Sequence, residues 1–141
     1  MHSIEQYKTE LLMYILGIVI IALIVLMVIN VVLLILKLTK VFNEKKVWIL
    51  SNLVVTIILL FCISSASFDI LTESYCEIDN VTKMEIIVSN GKEYILITDG
   101  EGTVYTCKSH LYDTKNIDEL EFPGKVVYAK HSKLLLDYIT K

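Results

Sequence analysis

The chain has no arginine, and all thirteen of its basic residues are lysine. Guanidinium groups clamp phosphate or carboxylate in a bidentate fork, so their absence weighs against a nucleotide-handling site. Charge is missing in a second place: neither Leu11–Leu36 nor Val47–Ala66 contains an Asp, Glu, Lys or Arg. Catalytic signatures are scarce too. Gly91, Gly100, Gly102 and Gly124 all fall in turn contexts, and none belongs to a glycine-rich loop that cradles phosphate ahead of a helix. No nucleophile motif or paired-acid pattern accompanies His110, His131 and Asp113, so the chain reads as non-enzymatic, with no cofactor and no catalytic residue.

What is present is hydrophobicity, at 55% of residues, concentrated in those two charge-free runs. A bilayer core of roughly 30 Å needs about 20 apolar residues in a helix, and both runs reach that length. They predict a transmembrane helical hairpin over 11–68, preceded by a short segment 1–10 and followed by a polar domain, 69–141. The first run, at about 39 Å as a single helix, is longer than the core and is expected to tilt or project. It also exceeds the apolar region of a secretory signal and lacks a small-x-small cleavage pattern after it, so it reads as a retained anchor. Cys62 follows bulky Phe61, which does not suit a lipoprotein site, and is read as a small apolar helix residue.

The loop 37–46 carries Lys37, Lys40, Lys45 and Lys46 against Glu44, a net of +3. Residues 69–141 hold eight Lys against thirteen Asp and Glu, a net of −5. Lysines in short loops mark the cytoplasmic side, so the loop is expected inside the cell membrane and both termini outside it. An acidic tail offers no electrostatic footprint for a phosphate backbone, and no nucleic-acid partner is expected.

Asn30 and Asn52 are the polar residues of interest within the spans. They lie seven and six residues from the loop lysines Lys37 and Lys46, at a matched depth of about 10 Å. Amides in hydrocarbon have no water partners, so the two are expected to pair across the hairpin, at about 0.6–2 kcal/mol.

After Phe68 the pattern becomes one of short alternating segments between turns, which predicts a small antiparallel β domain: a five- or six-stranded meander, or an OB/SH3-like barrel. Asn90-Gly91 is the strongest hairpin signal and joins Lys83–Asn90 to Lys92–Asp99, setting Met84 against Ile97, Ile86 against Ile95 and Val88 against Glu93. Met84, Ile86, Val88, Ile95 and Ile97 then form a core face. A two-residue turn within 99–102 leads to Thr103–Ser109 with Val104 on that same face. The opposite face carries Ile87, Tyr94, Leu96 and Tyr105, too apolar for simple solvation, and is a candidate contact surface. Residues 110–121 read as a connection with Asn116 as N-cap, Glu119 three positions on, and one short helical turn. Lys125–Lys130 and Leu134–Thr140 follow the Pro123-Gly124 turn, with Tyr75–Ile78 as a sixth strand.

Cys76 and Cys107 in an extracytoplasmic domain could close a loop of about 30 residues, worth roughly 3–4 kcal/mol as a disulfide. Cys107-x-x-His110 with Cys76 and His131 has the residue types of a zinc site but only one close pair, and no metal is assigned. Asn80-Val81-Thr82 matches a glycosylation sequon.

At the level of architecture, two helices and a small barrel resemble membrane-anchored accessory proteins with an OB-like tail. They also resemble two-helix membrane effectors whose barrel senses a nucleotide signal. Neither resemblance carries a site. The expected partners are therefore the lipid bilayer, a protein or envelope component bound by the β domain in an accessory, immunity or exclusion role, and a second copy in a homo-oligomer. The alternative is a membrane-perturbing effector, in which a cytoplasmic ligand-sensing barrel drives oligomerisation of the hairpin.

Overall fold

The computed structural model describes residues 4–39, 45–111 and 113–140. Lys40 of the lysine-rich loop lies outside them. Helix α1 spans Ile4–Leu38 and α2 spans Lys45–Thr72; the strands are β1 (Tyr75–Ser89), β2 (Lys92–Asp99), β3 (Val104–Lys108), β4 (Gly124–Ala129) and β5 (Leu135–Thr140), with a 3-10 turn at Thr114–Glu119. Both helices are long and apolar enough to cross a membrane, and their apolar stretches are not buried inside the protein.

The chain divides into two units. Residues 13–65 form one, the body of the hairpin. The other gathers the first turns of α1, up to Leu12, with everything from Ala66 onward. The polar domain thus includes helix: α2 does not stop where its apolar run does but continues to Thr72, and Tyr7, Leu11, Ala66 and Asp69 are buried.

The sheet is antiparallel and open, in the order β3-β2-β1-β4-β5. It is a meander-like open sheet and is not closed into the OB/SH3-like barrel expected as the alternative. Among the described residues a single parallel bridge, Lys108 to Leu134, with the Lys108 amide donating to the Lys133 carbonyl at 2.7 Å, draws the end of β3 toward the start of β5. Nor are there six strands among the described residues. Tyr75–Ile78 and Lys83–Asn90 belong to one strand that changes partner along its length: its first part pairs with β4 and its second with β2, with register breaks between Ile78 and Lys83. Asn80, at φ +52°, sits in that break, and the extra residues there turn Ile78, Val81 and Met84 to one side despite their spacing of three.

Those three residues join Ile95, Ile97, Cys107, Ile117, Val126 and Leu135 in the core. Val127 and Ala129 are buried as well but face the other way: Val127 is opposite Asp137, and Ala129 opposite Tyr75. Tyr7 meets this second face, donating its hydroxyl to Asp137 Oδ2 at 3.1 Å and packing its ring 5.5 Å from that of Tyr75. β4 is therefore covered on both sides, which accounts for the unbroken apolar run Val126-Val127.

Candidate functional site

The hairpin register agrees with the alternation pattern, with Met84 opposite Ile97, Ile86 opposite Ile95 and Val88 opposite Glu93. Asn90 and Gly91 both adopt positive φ, +52° and +71°, as a two-residue I′ turn requires. Burial along this arm is uneven. Met84, Ile95 and Ile97 are core, whereas Ile86 and Val88 are 42% and 70% exposed, on the part of β1 that has lost its β4 neighbour.

The second hairpin overturns one expectation. Asp99 pairs with Thr103, so the loop is Gly100-Glu101-Gly102, three residues rather than two, closed by the Gly102 amide on the Asp99 carbonyl and by Gly102 at φ +83°. One added residue reverses every side chain beyond it. Tyr105 is consequently opposite Ile97 and packs on the core, while Val104, expected inside, is opposite Thr98 and 57% exposed. The loop is held by Asp99, whose Oδ1 accepts from the Glu101 and Thr103 amides at 2.9 and 2.8 Å and whose Oδ2 accepts from the Tyr105 hydroxyl at 3.2 Å. Desolvation pushes the Asp99 carboxyl up, but these donors outweigh it and hold the group below its usual range.

With that correction the face opposite the core is a three-by-three array. β1 contributes Lys83, Glu85 and Ile87; β2 contributes Thr98, Leu96 and Tyr94; β3 contributes Val104, Thr106 and Lys108. Ile87, Tyr94 and Leu96 form a contiguous apolar centre extended diagonally by Val104, and Lys83, Glu85 and Lys108 stand at its margins. Ile87 is 38% exposed, Tyr94 and Leu96 are half-buried, and the Lys83–Glu85 ion pair at 2.7 Å is solvent-exposed, so it contributes little to stability.

The other singled-out residues have structural placements. Asn30 Nδ2 donates to Asn52 Oδ1 at 3.0 Å, Asn52 Nδ2 returns a bond to Asn30 Oδ1 at 3.4 Å, and each amide also bonds the carbonyl four residues back, Leu26 or Trp48. An open groove of about 240 Å³, wholly apolar, lies between Ile18–Val25 and Val55–Cys62 of the same helices. Cys76 and Cys107 are free thiols. Burial pushes Cys107 up to about 11, with Lys133 opposing and Cys76 adding to the shift. Tyr128, opposite Cys76, is pushed up to about 12, by burial first and then by the Cys76 hydrogen bond. Asp113, not Asn116, caps the 3-10 turn, accepting from the Lys115 amide at 3.1 Å. The His131 ring packs edge-on against Phe68 at 4.8 Å. Among the described residues no group of three His, Cys, Asp or Glu side chains is placed to hold a metal.

Sequence reasoning missed Asp69. The side chain is fully buried on the last turns of α2, and it accepts from the His131 amide at 2.9 Å, the Ser132 amide at 2.8 Å and the Ser132 hydroxyl at 2.7 Å. An acid within four residues of the helix end, with no basic neighbour in sequence, was the available signal. Lys8 and Glu73 add an ion pair beside this junction. Compared with known proteins, the chain matches no family model, no curated sequence and no solved structure.

Proposed function

We propose that this is a non-enzymatic, membrane-anchored binding or regulatory protein whose β domain lies outside the cytoplasm and engages another protein or an envelope component. The observation that carries the reading is the outer face of β1–β3, with Ile87, Tyr94, Leu96 and Val104 gathered on one side of an open sheet and charges at the margin. An apolar centre with a polar rim is how interfaces concentrate binding energy, each fully buried anchor contributing about 1–2 kcal/mol. The hairpin supplies the anchor, its two apolar stretches facing lipid.

Substitution separates a binding face from a folding face. Ile87→Ser and Val104→Ser should leave thermal stability nearly unchanged and abolish capture of the partner from cross-linked membranes, whereas Tyr105→Ser should lower the melting temperature by several degrees. Undiminished capture by both surface variants would sink the proposal.

A second reading, in which the domain senses a ligand and acts on the hairpin, draws on the helix ends built into the domain through Tyr7–Asp137 and Asp69–Ser132. A flexible tether could not pass a change of state to the helices; a packed junction can. That reading needs the domain in the cytoplasm.

A further inference from the structure

From Lys83 to Ser89, β1 is paired on one side only. β2 occupies its near edge, while the ladder to β4 ends at Val81, and no other strand among the described residues takes its place. Ser89 and Lys92 close a two-residue turn and so exchange hydrogen bonds. By alternation Ile87, Glu85 and Lys83 bond to β2, and the N–H and C=O of Met84, Ile86 and Val88 point outward from the sheet. An unpaired row of this kind is a template for another strand, and sheets usually blunt it with a charge, a proline or a bulge. Here the residues whose backbone points outward, Met84, Ile86 and Val88, are all apolar; the charges Lys83 and Glu85 sit on residues bonded to β2, and the bulge at Asn80 lies before the free stretch begins.

We infer that this edge pairs antiparallel with the same edge of a second copy of the chain, about a two-fold axis at Ile86. Hydrogen bonding requires outward-pointing residues to meet, which restricts the register to steps that keep Met84, Ile86 and Val88 of one copy opposite members of the same set in the other. Centring on Ile86 sets Ile86 against Ile86 and Met84 against Val88 twice, so all three outward residues of each copy are satisfied. The charges fall opposite neutral partners: Glu85 faces Ile87, and Lys83 faces Ser89. Centring on Glu85 would oppose two carboxylates, a destabilising pair. Centring on Ile87 would push Met84 against Asn90, whose left-handed backbone cannot continue a ladder.

The pairing also places Ile86 and Val88 of both copies side by side on the core face, covering the two side chains the core leaves bare. So short a seam buries less than a standard interface, and its occupancy depends on confinement of both copies to one membrane, which raises their effective concentration. This inference uses the β1 edge and stands apart from the outer-face reading above.

Photo-cross-linking of the full chain in native membranes tests it. The benzophenone amino acid p-benzoylphenylalanine, introduced at Val88 with equal isotopically heavy and light populations, should yield mixed dimers whose cross-link maps to residues 84–88 of the second copy. The same probe at Val104 should give at most one fifth as much dimer, and Ile86→Lys should reduce the Val88 adduct at least tenfold while the melting temperature holds. No dimer from Val88 beyond that from Val104, a map to the helices, or an adduct to a different protein would each overturn the inference.

Discussion

Two carboxylates join helix to sheet, Asp137 through the Tyr7 hydroxyl and Asp69 through the β4–β5 turn. Asp69 satisfies three donors from the β4–β5 turn with two oxygens, and no water has access to substitute for it. Asp69→Asn keeps the volume but turns an NH₂ toward either the His131 amide or the Ser132 pair, leaving donor against donor. The expected cost is about 2–3 kcal/mol in urea unfolding of the detergent-solubilised protein, because a bond to a charged group is lost and a buried donor is left unsatisfied. A midpoint within error of the parent would show that the turn has other support. Titration provides a second residue-scale test. Cys107 is held at about 11 against an ordinary 9.0, and Tyr128 at about 12 against 10.0, in both cases chiefly by burial. Each group is a neutral acid that the fold keeps protonated. Below pH 9 both are neutral whether folded or unfolded, so their stabilisation is fully present. Between pH 9 and about 11 the unfolded chain releases the Cys107 proton while the folded chain retains it, and stability falls as pH rises. The Tyr128 window follows, from 10 to about 12. Cys107→Val should flatten the earlier part of that decline in a series of thermal melts from pH 8 to 11. The same raised pKa suppresses the thiolate, so Cys107 should resist maleimide in the native state and react on unfolding.

At the scale of elements, the Asn30–Asn52 pair closes the hairpin with four amide hydrogen bonds, two between helices and two back to the helix backbone. Asn30→Leu or Asn52→Leu alone strands the other amide from its cross-helix partner and should weaken helix–helix association by about 0.6–2 kcal/mol. The double variant should cost less than the sum of the two singles, and strict additivity in steric-trap or denaturation measurements would show that the pair is not coupled. The pairing of Asn30 with Asn52 was legible in the sequence because helical rise converts residue counts to distance directly. So was the β1–β2 register, fixed by a turn that accepts few residues other than Asn-Gly. The next hairpin was not, since Asp99-Gly100-Glu101-Gly102 fits either a two-residue turn or a three-residue loop, and the difference inverts Val104 and Tyr105. The long bent β1 escaped for a related reason: a bulge at Asn80 breaks strict alternation, so one strand reads as two. For Asp69 the sequence offers only an isolated acid near a helix end and for Tyr7 nothing, because their partners, Ser132 and Asp137, lie 63 and 130 residues away and no local pattern identifies them.

For the whole molecule, the decisive quantity is which side of the membrane the β domain occupies. The sorting of charge argues for the outside. Lys37, Lys45 and Lys46 lie at the ends of α1 and α2 that the loop joins, with Lys40 between them in sequence, and the positive-inside rule assigns such a loop to the cytoplasmic side. With two spans, the helix ends that pack on the sheet would then emerge together on the far side, and Lys8 is the only Lys or Arg among the first ten residues to oppose that assignment. Protease added to intact spheroplasts should therefore remove a C-terminal tag and leave a fragment containing the hairpin. A cysteine at exposed Val104, in a chain whose Cys62 and part-exposed Cys76 have been replaced by Ser and whose remaining Cys107 is buried, should react with a membrane-impermeant maleimide before lysis. Moving the charge tests the cause: replacing Lys37, Lys40, Lys45 and Lys46 by Gln should randomise the orientation, so that only part of the population is labelled from outside. A tag protected until lysis, with labelling at Val104 only in broken cells, would place the domain in the cytoplasm. That result would eliminate the external binding role, and the packed junction of Tyr7, Asp69, Ser132 and Asp137 would then become the natural route by which a cytoplasmic ligand acts on the hairpin.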